Sequence, residues 1–239
     1  MKKSPREIYR CRAAQPDYCP LRDMPEYLPS IAVALEDQYF YSHNGVDLRS
    51  IWKSFKGAFH GKPLYGVSTI PQQLVKNLYF TFERNWIRKL REAFLAIRFS
   101  RCLTKEEILE LYLNTVYYDN GQYGITNAAG FYFGKMPAEL TINQAVFLIV
   151  VLPVAGILNP LYHPQDFVKR RDRRMEKTKD LMHAISEEII PEVSRHGPQC
   201  LDEELRLPSE ETQKYDAPGP MINERFGPGQ IESLIRTDE

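Results

Sequence analysis

Two glutamates, Glu36 and Glu92, have neighbours that suit acid–base chemistry. Glu36 opens the run E-D-Q-Y-F-Y-S-H-N-G, and Glu92 closes the run R-K-L-R-E at 88–92. The segment 66–77, G-V-S-T-I-P-Q-Q-L-V-K-N, lies between them and is rich in amides and hydroxyls. Paired carboxylates beside fixed cations are what acid–base chemistry on an anionic substrate requires. These three segments are therefore expected to meet in one site.

Capping boxes predict the helices that position these segments. Thr69 is followed three residues later by Gln72, and the same pattern recurs at Thr104 and at Thr141. These patterns predict helices over about 70–80, 105–115 and 142–152. An earlier helix is expected to follow Ser30, with Pro29 outside it, and to end near Glu36.

The helix that carries Glu92 shows an apolar stripe. Ile87, Leu90, Phe94 and Ile97 recur at spacings of 3, 4 and 3, which predicts a face directed at the core. At about 100° per residue, Glu92 lies about 200° from Leu90 and points away from that stripe. Glu92 is therefore expected to face either solvent or a cleft.

Other patterns favour a mainly α chain. No segment alternates over a useful length, and residues 117–124, rich in Gly, Asn and Tyr, are typical of a loop. The longest apolar run, 145–158, is interrupted by Pro153 and is too short to span a membrane. We therefore expect no membrane anchor in this sequence. The four cysteines form no C-x-x-C pair and have no His at ligand spacing, which argues against a zinc site.

Length and composition predict one domain and a tail. The chain has 239 residues, of which 43% are hydrophobic and 26% charged. Residues 183–239 carry 5 Lys/Arg against 13 Asp/Glu, so residues 1–182 carry a net charge of +8 in a chain of net charge +0. A basic body with an acidic, proline-containing tail favours an anionic substrate or an anionic membrane surface. The tail is expected to be loosely ordered.

Four long motifs occur in order along the chain. They are E-D-x-x-F-x-x-H-x-G at 36–45, G-x-S-T-I-x-Q-Q-x-x-K-N at 66–77, R-K-x-x-E at 88–92 and K-x-x-I-L-E-x-Y-L-N at 105–114. On these motifs the chain resembles the peptidoglycan glycosyltransferases of family 51, which occur as monofunctional transglycosylases and as the transglycosylase domain of class A penicillin-binding proteins. The resemblance covers about residues 27–182, the glycosyltransferase domain, and leaves a polar N-terminal segment, 1–26, outside it.

Two departures from the family pattern are visible. In the family's fifth motif an arginine pair is followed two residues on by Val-Leu, whereas Arg173-Arg174 is followed by M-E-K-T. This departure is expected to remove an apolar face from the last helix of the domain. Family members usually carry a transmembrane helix before the first motif, whereas residues 1–27 are polar.

The resemblance implies a fold and a reaction. The implied fold is mainly α and lysozyme-like, with a larger helical lobe, a smaller membrane-proximal lobe and a cleft between them. The implied reaction polymerises lipid II into β-1,4 glycan strands, with inversion and release of undecaprenyl pyrophosphate, at the outer face of the bacterial cytoplasmic membrane. The expected partners are lipid II, the growing glycan strand, the membrane surface and other cell-wall synthesis proteins.

The same resemblance implies roles for individual residues. Glu36 is the expected base, and Glu92 is expected either to orient nearby cations or to help hold a divalent ion at the departing pyrophosphate. That ion would be Mg²⁺ or Mn²⁺; no metal ligand is assigned, and no organic cofactor is expected. Thr69 has the alternative of only capping its helix. The residues expected to bind substrate are Asp37, Ser68, Thr69, Gln73, Lys76, Asn77, Arg84 and Arg91.

An aromatic and basic segment, 51–65, separates the first two motifs. Trp52, Phe55 and Phe59 recur at helical spacing among lysines, which suits either an interface with anionic lipid or a packed amphipathic helix. The resemblance favours the membrane interface. Nucleic acid is not an expected partner, since the net charge of the chain is zero.

Two other functions compete with polymerisation. One is a lysozyme-like enzyme that cuts glycan, but a glycosidase has no pyrophosphate for Lys76, Arg84 and Arg91 to neutralise. The other is an inactive protein that binds lipid II or glycan, which would agree with the altered fifth motif.

Overall fold

The computed structural model describes residues 3–59, 68–80, 86–152 and 164–177. Arg84 and the acidic tail lie outside these residues. The described part of the chain is helical, and its helices are α1 (Pro5–Ala13), α2 (Tyr27–Glu36), α3 (Leu48–Phe59), α4 (Ile70–Tyr79), α5 (Trp86–Cys102), α6 (Lys105–Leu113), α7 (Ile125–Phe133), α8 (Ile142–Val151) and α9 (Pro164–Lys177).

The three predicted capping boxes are confirmed. The hydroxyl of Thr69 accepts the amide of Gln72 at 3.3 Å, and the Gln72 side chain accepts the amide of Thr69 at 3.1 Å. Thr104 and Thr141 form the same reciprocal pairs at the starts of α6 and α8. Each helix begins at the residue after its threonine, because the box satisfies amide groups that have no partner within the helix.

Helix α2 begins earlier than the sequence analysis predicted. It begins at Tyr27, so that Pro29 and Ser30 lie inside it. A proline is tolerated there because the first amides of a helix have no partner within it. The Ser30 hydroxyl donates to the carbonyl of Glu26 at 3.2 Å instead of capping the helix. Glu36 is the last residue of α2, as predicted.

Helix α8 is the most apolar element of the core. Its residues from Gln144 to Val151 are buried, and it packs against α2 and α9. The described part of the apolar run 145–158 is therefore a core helix. Nowhere in the described ranges is a helix long and apolar enough to cross a membrane. Within the same ranges, strand pairing is limited to one isolated bridge, between Tyr117 and Tyr123, so the prediction of a mainly α fold is confirmed.

Helix α5 faces the core with the side opposite to the predicted stripe. Ile87, Leu90 and Phe94 are 62%, 64% and 39% exposed, whereas Leu95 and Phe99 are buried. The prediction of a core-facing stripe was therefore wrong. The helix carries apolar residues on two faces, and packing against α4 selects the second face.

The N-terminal segment is anchored on α6 through Glu110. The carboxylate of Glu110 accepts the hydroxyls of Tyr9 and Tyr18 at 2.7 and 2.5 Å and the amide of Leu21 at 2.7 Å. A carboxylate that accepts three hydrogen bonds holds a segment more firmly than a neutral acceptor would. Residues 5–23 are therefore attached to the same helix that carries the fourth motif.

Asn114, at the end of α6, strengthens this attachment. Its side chain accepts the amide of Cys19 at 2.8 Å and donates to the Cys19 carbonyl at 2.7 Å. The Arg12 guanidinium donates to the Asn114 carbonyl at 2.9 Å. Glu110 and Asn114 of the fourth motif therefore act as scaffold.

Replacement of Glu110 by alanine should destabilise the fold. Three donors lose a charged acceptor, so we expect Glu110→Ala to lower the free energy of unfolding by about 2 to 4 kcal/mol. Urea denaturation followed by circular dichroism measures the loss. Glu106→Ala, an exposed change on the same helix, is the control and should cost less than about 0.5 kcal/mol. Equal losses in the two variants would contradict the anchoring role.

Candidate active site

The carboxylate of Glu36 is held at both oxygens. Oε1 accepts from Nη2 of Arg174 at 2.6 Å, and Oε2 accepts from Nε2 of Gln73 at 2.8 Å. The Tyr112 hydroxyl donates to the other end of the Gln73 amide at 3.0 Å. Burial, together with Glu36, raises the pKa of Tyr112 well above its usual range, so the hydroxyl remains a donor. Glu36 is thus a fixed carboxylate whose side chain is only 4% exposed.

Asp37, the next residue, is directed at protein groups. Its Oδ2 accepts the amide of Ile70, the first residue of α4, at 2.9 Å. His43 approaches the same carboxylate through Nε2, also at 2.9 Å. Because the Gly45 amide donates to Nδ1 of His43 at 3.2 Å, Nε2 carries the proton that points at Asp37. His43 therefore forms hydrogen bonds within its own loop and to Asp37, and Asp37 joins the first motif to the start of α4.

Gly45 lets the first motif pass close to α5. It has a φ of +95°, and a Cβ atom there would lie 2.6 Å from the carbonyl oxygen of Ala96 and 2.7 Å from the amide nitrogen of Ile97. The Thr69 hydroxyl donates to the Gly45 carbonyl at 2.6 Å. Thr69 therefore connects the first two motifs as well as capping α4.

Lys105, from the fourth motif, fixes the loop after Asp37. Its ammonium donates to the carbonyls of Phe40 and His43, the latter at 2.5 Å, and lies 4.5 Å from the centre of the Phe40 ring. Burial lowers the pKa of Lys105, and the nearby Asp37 opposes that shift. The lysine therefore acts as a structural cation that holds the loop 40–43.

Glu92 is buried and has one oxygen without a hydrogen bond. Its side chain is 1% exposed, so the solvent-facing alternative was wrong. Oε1 is paired with the ammonium of Lys89, which also donates to the Ser68 hydroxyl at 2.9 Å. Oε2 is buried and has no hydrogen-bond partner among the residues that the structure describes. A buried carboxylate oxygen in this state is costly, which is typical of a functional position.

Of the remaining predicted residues, Lys76 and Asn77 lie on α4 and Arg91 lies on α5. Asn77 donates to the Gln73 carbonyl at 2.8 Å and accepts the amide of Tyr117 at 3.2 Å, so it holds the loop 117–124. Lys76 and Arg91 are partly buried on their helices. Arg84 lies outside the described residues. Their roles in binding substrate stay predictions.

Sequence reasoning did not identify Arg174 as a partner of Glu36. The two residues are 138 positions apart, and no local pattern links them. A clue lies in an earlier arginine pair, Arg170-Arg171, which is followed at the spacing of the fifth motif by Arg174-Met175. In this register Arg174 takes the place of the motif's valine, and Met175 packs against the core where leucine is expected.

Comparison with known proteins identifies the family of this chain. A sequence model of the transglycosylase family matches residues 4–179, so the chain belongs to the transglycosylase family. The match extends to the N-terminal segment that Glu110 anchors. The enzyme class expected from the motifs, a peptidoglycan glycosyltransferase, is confirmed at the level of the family.

Several curated relatives are penicillin-binding proteins. The chain is 41% identical over 153 residues to penicillin-binding protein 1A of Escherichia coli and 40% identical over 156 residues to that of Aquifex aeolicus. It is 31% identical over 171 residues to penicillin-binding protein 1F of Bacillus subtilis. These alignments cover 64%, 65% and 71% of this chain but only 18%, 22% and 24% of the relatives.

Gly45 offers a test of the contact between the first motif and α5. Gly45→Ala should lower the free energy of unfolding by about 2 to 5 kcal/mol, because the new Cβ meets backbone atoms at a positive φ. Gly130→Ala is the control: nothing lies within 4 Å of its Cβ position inside α7. This control should raise stability by about 0.5 to 1 kcal/mol. Denaturation curves that show no loss for Gly45→Ala would refute the close approach.

Proposed function

We propose that this chain polymerises lipid II into β-1,4 glycan strands and releases undecaprenyl pyrophosphate. The observation that carries the proposal is the fixed, nearly buried carboxylate of Glu36 inside the first motif of the transglycosylase family. The proposed location is the outer face of the bacterial cytoplasmic membrane, where other cell-wall synthesis proteins would be partners.

Glu36 is the proposed general base. The 4-hydroxyl of the acceptor sugar attacks the anomeric carbon of the donor, and its proton passes to Glu36 as the new C–O bond forms. The bond between the anomeric carbon and the pyrophosphate oxygen breaks in the same displacement, so the configuration inverts. A carboxylate has about four lone-pair sites, and the two donors on Glu36 leave room for the incoming proton.

The proposed cations would serve the leaving group. Negative charge grows on the pyrophosphate as the bond breaks, and fixed cations stabilise that charge. Lys76, Arg84 and Arg91 are the proposed cations. Lys89, on α5, is held by Ser68 and Glu92. Glu92 orients this cationic group and does not donate a proton, because a pyrophosphate leaves without one.

A divalent ion fits this site only as a companion of the substrate. No group of three or more His, Cys, Asp or Glu side chains that could hold a metal occurs among the described residues. Mg²⁺ is commonly bound by one or two carboxylates together with substrate phosphates. Oε2 of Glu92, which accepts no hydrogen bond from the described residues, would be the protein ligand of Mg²⁺ or Mn²⁺, and the ion would neutralise pyrophosphate charge.

The membrane is the proposed partner of two exposed apolar faces. Ile51 and Trp52 on α3 are exposed, as are Ile87, Leu90 and Phe94 on α5. The ammonium of Lys56 lies over the Trp52 ring. Aromatic and aliphatic side chains beside lysines suit the interface of an anionic bilayer. The described part of the structure does not include the segment 60–65 or the side chains of Phe55 and Phe59.

Removal of the proposed base tests the activity. Glu36→Gln keeps the shape of the side chain but cannot accept the proton as a carboxylate does, so we expect kcat for polymerisation of purified lipid II in detergent to fall at least about 100-fold. Glu26→Gln, an exposed change at the start of the same helix, should leave kcat within about twofold of the unsubstituted chain. Near-normal turnover by Glu36→Gln would eliminate Glu36 as the base.

Vesicle binding tests the membrane contact. In co-sedimentation with vesicles that contain phosphatidylglycerol, Trp52→Gln and Leu90→Gln should each weaken binding about threefold or more, because each removes apolar area from the interface. Met136→Gln is the matched control, since Met136 is also a large exposed apolar residue but lies between α7 and α8. Equal weakening by all three changes would argue against these faces as the contact.

A further inference from the structure

Arg174 reaches Glu36 from the last described helix. Its Nη2 donates to Oε1 of Glu36 at 2.6 Å, and the same nitrogen donates to the carbonyl of Leu35. Leu35 lies in the last turn of α2, where carbonyls have no partner within the helix. One guanidinium group therefore binds both the side chain of Glu36 and the backbone that carries it.

The burial of this pair makes it more than a surface ion pair. The side chains of Glu36 and Arg174 are 4% and 17% exposed. A carboxylate this far from water needs a charged partner or several donors, whereas exposed pairs contribute little. Positive charge also suits the C-terminal end of a helix, where the helix dipole is negative.

The contact restricts the motion of the carboxylate. Gln73 holds Oε2, and Gln73 is itself fixed by Tyr112. Arg174, on α9, holds Oε1. Neither oxygen of Glu36 can therefore turn away without breaking a hydrogen bond. Catalysis by a general base depends on this kind of alignment, because a displacement of about 1 Å can cost about 100-fold in rate.

We propose that Arg174 is a positioning residue that aligns the carboxylate of Glu36 for proton transfer. The expected effect on kcat rests on the proposed function. The ion pair between Arg174 and Glu36 does not depend on that function. Arg174 acts through Glu36 and touches no reacting atom. Its replacement should therefore lower kcat and leave substrate affinity nearly unchanged.

Kinetics of lipid II polymerisation give the first test. Arg174→Ala should lower kcat about 30-fold or more, with KM within about threefold of its original value. Added guanidinium should raise the kcat of Arg174→Ala at least about tenfold and should not raise the kcat of Glu36→Gln. Arg174→Lys should retain an intermediate kcat, since lysine keeps the charge but not the planar fork.

Arg173→Ala is the control for the loss of one arginine from α9. Arg173 is exposed and adjacent in sequence, so its replacement should leave kcat within about twofold. An unchanged or increased kcat in Arg174→Ala overturns the proposal. So does a fall in kcat that neither guanidinium nor Arg174→Lys relieves, because that result shows a purely structural role.

Thermal unfolding tests the pairing without any activity. Arg174→Ala should lower Tm by more than about 5 °C in the original chain and by less than half as much in a Glu36→Gln background, where the buried negative charge is gone. If Arg174→Ala lowers Tm equally in the original chain and in the Glu36→Gln background, the pairing is overturned. If the chain forms no polymer but the losses are coupled, the proposed function fails while the ion pair stands.

Discussion

The position of Glu36, the proposed base, depends on the hydrogen bonds that the carboxylate of Asp37 accepts. This carboxylate accepts the first amide of α4, in a buried hydrogen bond, and the Nε2 proton of His43, in a partly buried one. A carboxylate at the start of a helix is favoured by the helix dipole as well as by the hydrogen bond. Because Asp37 follows Glu36 directly, this contact sets the distance between the end of α2 and the start of α4. Gln73 on α4 can then reach Glu36.

Local chemistry made part of this arrangement predictable from sequence. The capping boxes at Thr69, Thr104 and Thr141 are complete within four residues, so the starts of α4, α6 and α8 followed directly. The motifs that contain Glu36 and Glu92 are also complete within short stretches of sequence, so these two glutamates could be identified from sequence as well. The start of α2 was missed because Pro29 was interpreted as lying outside the helix, although a proline fits within a first helical turn.

The parts that could not be predicted depend on which surfaces meet. Helix α5 has apolar residues on two faces, and periodicity cannot decide which face packs against α4. The choice of face also decides that Glu92 is buried. The partner of Glu36 is equally inaccessible to local reasoning, since Arg174 comes from a helix far along the chain and belongs to a motif that departs from the family pattern.

The two glutamates are both buried, but their surroundings suit different tasks. Glu36 has a donor on each oxygen, and those donors come from α4 and α9, so its geometry is fixed before any substrate arrives. Glu92 has one oxygen on Lys89 and one with no hydrogen-bond partner in the described part of the chain, so it retains capacity to bind. A fixed carboxylate is suited to accept a proton in a defined direction. A carboxylate with a free buried oxygen is suited to attract a cation, and so the proposed division between base and charge organiser follows from the contacts rather than from the motifs alone.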